Sequence, residues 1–256
     1  MPPPLKITVL GSGTSVGVPT IGCHCDVCRS ADPRDNRLRP SILVSYDGRN
    51  VLIDTTPDFR LQALRAGIDH LDAVIFTHAH ADHVMGLDDV RRFNVLQDAT
   101  IPCFGDPHTV AELRRTFRYV FEPPQLGGGV PRITLHALRG PFCLGGQEIV
   151  PVPVRHGNRL VLGFRVGTFA YLTDCNAIPD DSWPLLDGLD VLMLDALRHR
   201  PHTTHFTVAE SLRVVEKLAP RQTYFTHICH DLRHAETNAA LPRGVELAWD
   251  GLQFDV

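Results

Sequence analysis

The run Thr77-His78-Ala79-His80-Ala81-Asp82-His83 gathers three imidazoles and a carboxylate within six positions, directly after the apolar strand-like segment Ala73 to Phe76. Side chains alternate along a strand, so His78 and His80 are expected to leave its end on one face. Asp82 and His83 then fall in the turn that opens the next helix, where oxygen and nitrogen donors converge on a neighbouring point. Imidazole suits zinc, iron and manganese, and a carboxylate beside it favours a harder ion or a second one. Four donors split into two adjacent pairs predict a dinuclear metal site. A histidine-rich surface turn is the ordinary alternative, and the buried strand feeding straight into the run argues against it.

A two-metal centre needs more donors than one motif supplies, and polar residues just past other apolar strands are the place to find them. His156 ends the run Glu148 to Arg155, Asp174 follows Phe169 to Thr173, and His227 follows Thr223 to Thr226. Each alone reads equally well as a hydrogen-bonded histidine or aspartate; strand ends that share a sheet hold such groups rigidly together. Asp54, at the end of Val51-Leu52-Ile53, is either a turn former or the partner of a ligand histidine's second ring nitrogen. Arg155 and Arg159 flank His156 and could pair with phosphate, although exposed arginines are ordinarily solvated.

Cys23-x-Cys25-x2-Cys28 offers three thiolates, and structural zinc takes four tetrahedral ligands from cysteine and histidine. Reduced thiols or a redox pair are the competing readings. Of the remaining four of the seven cysteines, Cys229 is expected to point away by side-chain alternation, and Cys103, Cys143 and Cys175 read as small buried hydrophobes. Gly11-Ser12-Gly13-Thr14-Ser15-Val16-Gly17 lacks the lysine of a Walker sequence and the spacing of a dinucleotide fingerprint, so it reads as the turn that delivers the cysteine loop.

The elements that must position these side chains are strands at Leu5 to Leu10, Ser41 to Tyr46, Asn50 to Asp54, Ala73 to Phe76, Ile101 to Phe104, Glu148 to Arg155, Val161 to Val166, Phe169 to Thr173, Val191 to Leu194 and Gln222 to Thr226. Helices are predicted over Pro57 to Ala66, Asp82 to Leu96, Pro107 to Val120, Thr207 to Leu218 and Asp231 to Ala239, with Thr207 and Glu210 forming a capping box. Sheets covered by outer helices follow from that mixture. Pro123-Pro124 and Gly127-Gly128-Gly129 mark a turn-rich connection between the halves.

The 256 residues, 43% hydrophobic and 21% charged, suit one domain over 1–256. No apolar stretch approaches the roughly 20 residues that cross a bilayer, and Met1-Pro2-Pro3-Pro4 lacks the build of a secretory signal, so a cytoplasmic protein without a membrane partner is expected. A formal charge of -4 leaves no basic footprint for nucleic acid, which favours small ligands.

On His78, His80, Asp82 and His83 the chain resembles the metallo-β-lactamase superfamily, whose HxHxDH signature they match. Gly22-Cys23-His24-Cys25-Asp26-Val27-Cys28, Leu172-Thr173-Asp174 and Thr226-His227-Ile228-Cys229-His230 resemble, within it, the PhnP-like phosphoribosyl 1,2-cyclic phosphate phosphodiesterases. The resemblance spans nearly the whole chain. It implies an α/β fold, the αβ/βα four-layer sandwich, with one catalytic metal held by His78, His80 and His156 and the other by Asp82, His83 and His227. Asp174 would bridge them. It implies His230 as the fourth ligand of a structural zinc with Cys23, Cys25 and Cys28, and it carries a homodimer as the family's usual state.

Two divalent ions, manganese or zinc with iron also compatible, lower the pKa of water and clamp phosphoryl oxygens. The expected reaction is hydrolysis of a small cyclic ribose phosphate, with Asp82 and His205 as catalytic side chains. His205, just before the Thr207 helix, matches the family's histidine near the leaving group and is the expected general acid, with His199 and His202 as competitors on the same loop. A transfer-RNA 3′-processing ribonuclease is the enzymatic rival, but no basic arm is visible. A non-catalytic metal-stabilised carrier, resembling the pyrroloquinoline quinone biosynthesis relative, is the other alternative; it would not need both metal pockets.

Overall fold

Apolar side chains on both faces of the central strands dictate a layered architecture. In β3 (Arg49–Ile53), Val51 and Ile53 enter one apolar cluster and Leu52 enters another, all three at most 1% exposed. A strand buried on both faces needs a covering layer on each side. The computed structural model describes residues 4–122 and 129–256, and the Pro123-Pro124 and Gly127-Gly128 part of the turn-rich connection lies outside the described residues.

Two seven-stranded sheets face each other. The first runs β14 (Gln253–Asp255), β1 (Lys6–Gly11), β2 (Ser41–Tyr46), β3, β4 (Ala73–Ile75), β5 (Ile101–Gly105) and β6 (Ile133–Ala137). The second runs β13 (Val245–Leu247), β12 (Gln222–Thr226), β11 (Val191–Asp195), β10 (Phe169–Leu172), β9 (Arg159–Val166), β8 (Gln147–His156) and β7 (Phe142–Leu144). Ile7, Ile42, Val44 and Ile75 of one sheet pack on Phe164, Phe169, Tyr171 and Met193 of the other. Outside the first sheet, α1 (Phe59–Ala66), α3 (Arg91–Gln97) and α4 (Pro107–Thr116) bury Phe59, Phe93 and Leu113. Outside the second, α6 (Val208–Leu218) buries Val208 and Val214. The order helix, sheet, sheet, helix is the expected sandwich.

The carboxyl ends of the strands gather at one edge. β3 and β4 are parallel, as are β10, β11 and β12. β8 is antiparallel to β9, which is antiparallel to β10, so β8 runs with the parallel set and delivers His156 to the same edge. All ten predicted strands are present, with ends shifted by at most two residues. Missed are β6, β7, β13 and β14, at the two margins of each sheet.

The helix expected over Asp82 to Leu96 is interrupted. It consists of α2 (Ala81–Val84), a 3-10 turn (Leu87–Val90) and α3. Between them the Gly86 N–H donates to the Thr55 carbonyl at 2.9 Å, and the Thr55 hydroxyl donates to the Val84 carbonyl at 3.1 Å. A Cβ at Gly86 would lie 2.0 Å from the Thr56 carbonyl oxygen, so only glycine permits the approach. Gly86→Ala should therefore lower unfolding stability by about 1–3 kcal/mol, the range for forced overpacking, read by urea denaturation; an unchanged midpoint would show that the loop yields freely. The helix over Pro107 to Val120 likewise breaks at Phe117, between α4 and α5 (Arg118–Phe121), and the last helix begins later than expected, as α7 (His234–Ala240). The Thr207–Glu210 capping box forms as predicted. No helix among the described residues is long and apolar enough to cross a membrane.

Candidate metal centre

Seven side chains from four strand ends and the connections after them converge at that edge in two groups. His78, His80 and His156 form the first, each offering a donor atom within 4.8 Å of the others. His78 Nε2 and His80 Nδ1 are 2.9 Å apart, and the His156 ring lies 5.4 Å and 5.1 Å from theirs, centroid to centroid. The strand expected to carry the first two ends at Ile75, so His78 and His80 stand in the extended segment beyond it. Asp82, His83, Asp174 and His227 form the second group, all buried. His83 Nε2 is 3.3 Å from Asp82 Oδ2 and 3.2 Å from Asp174 Oδ1, and His227 Nε2 is 3.3 Å from the same Asp174 oxygen. The other Asp174 oxygen faces the first group, 3.9 Å from His78 Nε2.

The donor chemistry fits divalent cations. His83 Nε2 and both His227 ring nitrogens are buried with no hydrogen-bond partner in the protein, a costly condition unless something else pairs with them. Burial pushes the pKa of His78, His80 and His156 down, leaving the neutral rings that ligate metals. Burial works against ionisation of Asp174 too, yet His227 and His83 hold its carboxyl well below the usual carboxylate range. The same balance raises His83: burial disfavours its charged ring, and Asp174, Asp82 and Asp54 outweigh that cost. One pocket is thus neutral imidazole and the other is carboxylate-rich, and both favour a cation.

Three of these positions hold strained backbone. Asp54, Asp174 and His227 adopt φ of 68°, 51° and 58°, a left-handed conformation uncommon for residues other than glycine. At Asp174 and His227 the strain turns the strand end sharply so that its side chain enters the cleft. Asp54 is fully buried and does not face the cleft directly. It accepts from His83 Nδ1 at 2.7 Å, from the Thr77 N–H at 2.8 Å and from the Thr77 hydroxyl at 2.8 Å, which orients the His83 ring and leaves Nε2 for the centre. His156 is oriented the same way, its Nδ1 donating to the Thr204 carbonyl at 3.0 Å. Asp54→Asn tolerates the same backbone but offers a donor where His83 needs an acceptor. Metal affinity should fall about 10–100-fold, measured by titration against a competing chelator, and wild-type affinity in the variant would refute this role.

His205 sits beside both groups, its ring 4.9 Å from His156 and 4.5 Å from His227. Its Nδ1 donates to Asp195 Oδ2 at 2.7 Å, and Asp195 is fully buried. Asp195 also accepts from the Cys175 N–H at 2.9 Å. Sequence reasoning missed this aspartate, although it ends an apolar strand just as the predicted donors do. His202 is exposed, 5.1 Å from His205, and His199 does not join either group.

A separate cluster holds Cys23, Cys25, Cys28 and His230. The His230 Nδ1 lies 3.2 Å, 3.5 Å and 3.5 Å from the three sulfurs. The Cys28 N–H donating to its sulfur draws the Cys25 thiol down to about 7, towards the thiolate that zinc requires. Cys229 is turned away, its sulfur accepting from the Asp231 N–H at 3.3 Å. Cys103 and Cys175 are buried as expected, but Cys143 is exposed, because the short marginal strand β7 presents it to solvent. The glycine-rich turn is tied to the C-terminal half of the chain: Gly13 bridges Ile228, and the Ser12 carbonyl accepts from the Ile228 N–H at 2.9 Å.

This arrangement agrees with comparison to known proteins. A family model described as the beta-lactamase superfamily domain matches residues 49–228, which include all seven side chains of the two groups. The chain belongs to the metallo-β-lactamase superfamily. Within this superfamily it falls in the PhnP-like branch: a solved structure described as a new diphosphatase from the PhnP family is 50% identical, with a TM-score of 0.94, covering 100% of this chain and 98% of that one. An octanoyltransferase of Porphyromonas gingivalis is 36% identical over 254 residues, 97% of this chain and 51% of that protein, so the chain spans about half the relative's length. A coenzyme PQQ synthesis protein B of Rhodopseudomonas palustris is 38% identical over 235 residues, 75% of this chain and 73% of that protein. The metallo-β-lactamase fold and its PhnP-family likeness make the chain a metal-dependent hydrolase.

Proposed function

We propose that this hydrolase opens the phosphodiester of a small cyclic ribose phosphate, of the phosphoribosyl 1,2-cyclic phosphate type. His78, His80 and His156 would hold one divalent ion, Asp82, His83 and His227 a second, and Asp174 would face both. Ions so placed supply Lewis-acid neutralisation of phosphoryl oxygens and a lowered water pKa. The observation that supports this reading best is the His205–Asp195 pair at 2.7 Å. Asp195 fixes the ring tautomer, so that Nδ1 keeps its proton and Nε2 faces the cleft. When that ring is an imidazolium, protonated on both nitrogens, Nε2 can deliver its proton to a departing sugar oxygen, which an alkoxide leaving group needs, while Asp195 balances the charge.

His205→Ala should lower kcat on a cyclic ribose ester by about 10²–10⁴-fold and lower it far less on a p-nitrophenyl diester, whose leaving group departs without a proton. Equal losses on both esters would remove His205 from that role. Cyclic ribose phosphates, cyclic nucleotides, diphosphates and unprocessed transfer RNA, assayed together with the metal-loaded protein, test the substrate; preferred turnover of the RNA would overturn the reading. A second reading, hydrolysis of a diphosphate, draws on the 50% identity to a PhnP-family diphosphatase. It uses the same donors and differs in the leaving group, a phosphate that depends less on His205.

A further inference from the structure

Each imidazole that enters the centre has a second ring nitrogen, and what that nitrogen meets decides which one is left for a metal. His83 and His156 direct theirs at Asp54 and at the Thr204 carbonyl. His78 turns its Nδ1 towards a different atom, the Thr77 hydroxyl, at 3.0 Å. Thr77 is completely buried, and its polar atoms are all committed. Its N–H donates to Asp54 Oδ1 at 2.8 Å, and its hydroxyl donates to Asp54 Oδ2 at 2.8 Å. Its carbonyl accepts from the Leu162 N–H of β9, in the facing sheet, at 3.0 Å. These bonds pin the side chain between the two sheets, beside both donor groups: the same hydroxyl lies 3.4 Å from His83 Nδ1.

A hydroxyl carries one proton and two acceptor lone pairs, whereas a carboxylate only accepts. The Thr77 proton is committed to Asp54, so towards His78 the same oxygen can only accept. The proton between them then belongs to His78 Nδ1. That leaves Nε2, the atom 2.9 Å from His80 Nδ1 and 3.9 Å from Asp174 Oδ2, free to hold an ion. We propose that Thr77 is a positioning residue that fixes the tautomer and the ring plane of His78, so that the single buried carboxylate of Asp54 orients one ligand in each donor group, His83 directly and His78 through Thr77. This role rests on the two-ion placement above and not on the substrate. Without the hydroxyl, the ring would carry its proton on Nε2 part of the time, and a nitrogen that must first lose a proton binds a metal less tightly.

Thr77→Val keeps the shape and deletes the hydroxyl, and Thr77→Ser keeps the hydroxyl. Chelator competition on the zinc-loaded protein gives a stepwise affinity for each of the two ions outside the cysteine cluster. In Thr77→Val one of these should fall about 10–100-fold, the scale for removing the partner of a ligand histidine, and the other should stay at its wild-type value. Asp54→Asn should lower both, and Thr77→Ser should match the wild type. Imidazole nitrogen NMR supplies a readout that a merely structural threonine would not move. It should find His78 protonated at Nδ1 in the wild type and in Thr77→Ser, and a mixture of tautomers in Thr77→Val. The wild-type tautomer needs no variant, so a Thr77→Val chain that fails to fold leaves the test in place. A wild-type His78 protonated at Nε2 overturns the proposal, as does Thr77→Val holding both ions with wild-type affinity, or Thr77→Ser binding as weakly as Thr77→Val. If the wild type takes up only one ion outside the cysteine cluster, the two-ion placement fails, and the His78 tautomer then decides the role of Thr77 by itself.

Discussion

Asp174→Asn should reduce kcat by at least about 10³-fold, the upper range for deleting one charge-stabilising group from an active site. The size follows from its position. One carboxylate oxygen lies 3.2 Å from His83 Nε2 and 3.3 Å from His227 Nε2, and the other lies 3.9 Å from His78 Nε2, so both donor groups share it. Asparagine accepts the left-handed backbone at this position and matches the side-chain shape, which separates loss of charge from loss of fold. The variant should also bind fewer divalent ions per chain at a fixed free concentration, measured by plasma mass spectrometry alongside kcat on a chromogenic diester. Its effect should exceed that of Asp54→Asn, because Asp54 reaches the centre only through His83 and Thr77. Should Asp174→Asn retain both ions and wild-type kcat, the shared position of Asp174 has no catalytic meaning.

The donor set was legible because each member obeys a rule visible in one dimension. His78, His80, Asp82 and His83 are contiguous, and His156, Asp174 and His227 each follow an apolar run. Asp195 obeys the same rule, following Val191 to Leu194, yet it was passed over, and in the structure it is the last residue of β11 rather than a residue beyond it. The pairing with His205 that makes it matter is a contact between β11 and a loop. What the chain hid is mostly tertiary. Gly86 breaks a helix whose apolar period runs on through it, because the Thr55-Thr56 backbone approaches from another segment. β13 and β14 are three residues each and β6 is largely half-exposed or exposed, so none presents a clean apolar run. Arg37 is the plainest case. Arginine is ordinarily a surface residue, but this side chain is completely buried, donating to the Cys229 and Leu232 carbonyls at 2.9 Å and 2.7 Å and to Asp35 at 2.9 Å.

Cys25→Ser should remove the structural zinc that we propose for the cysteine cluster, and with it much of the stability of the edge that carries the active site. The cluster joins residues more than 200 positions apart in sequence, bringing Cys23, Cys25 and Cys28 of the N-terminal loop to His230. Closing such a site links metal binding to folding, and structural zinc in small domains contributes about 10–16 kcal/mol. The loss here should be smaller, because the same loop is held independently by Arg37 and by the Gly13–Ile228 bridge. A fall of about 3–5 kcal/mol would correspond to about 6–10 °C in melting temperature for a chain of this size. Activity should fall as well, since His227 stands only three residues before His230 on the connection after β12, and its left-handed backbone depends on that connection staying in place. Zinc per chain by plasma mass spectrometry and the melting temperature by calorimetry give the two readouts. The clamp is refuted if Cys25→Ser keeps the same zinc content and melts where the wild type does. Loss of zinc without loss of stability would instead assign the holding of this edge to Arg37, whose replacement by methionine should then be the more damaging change.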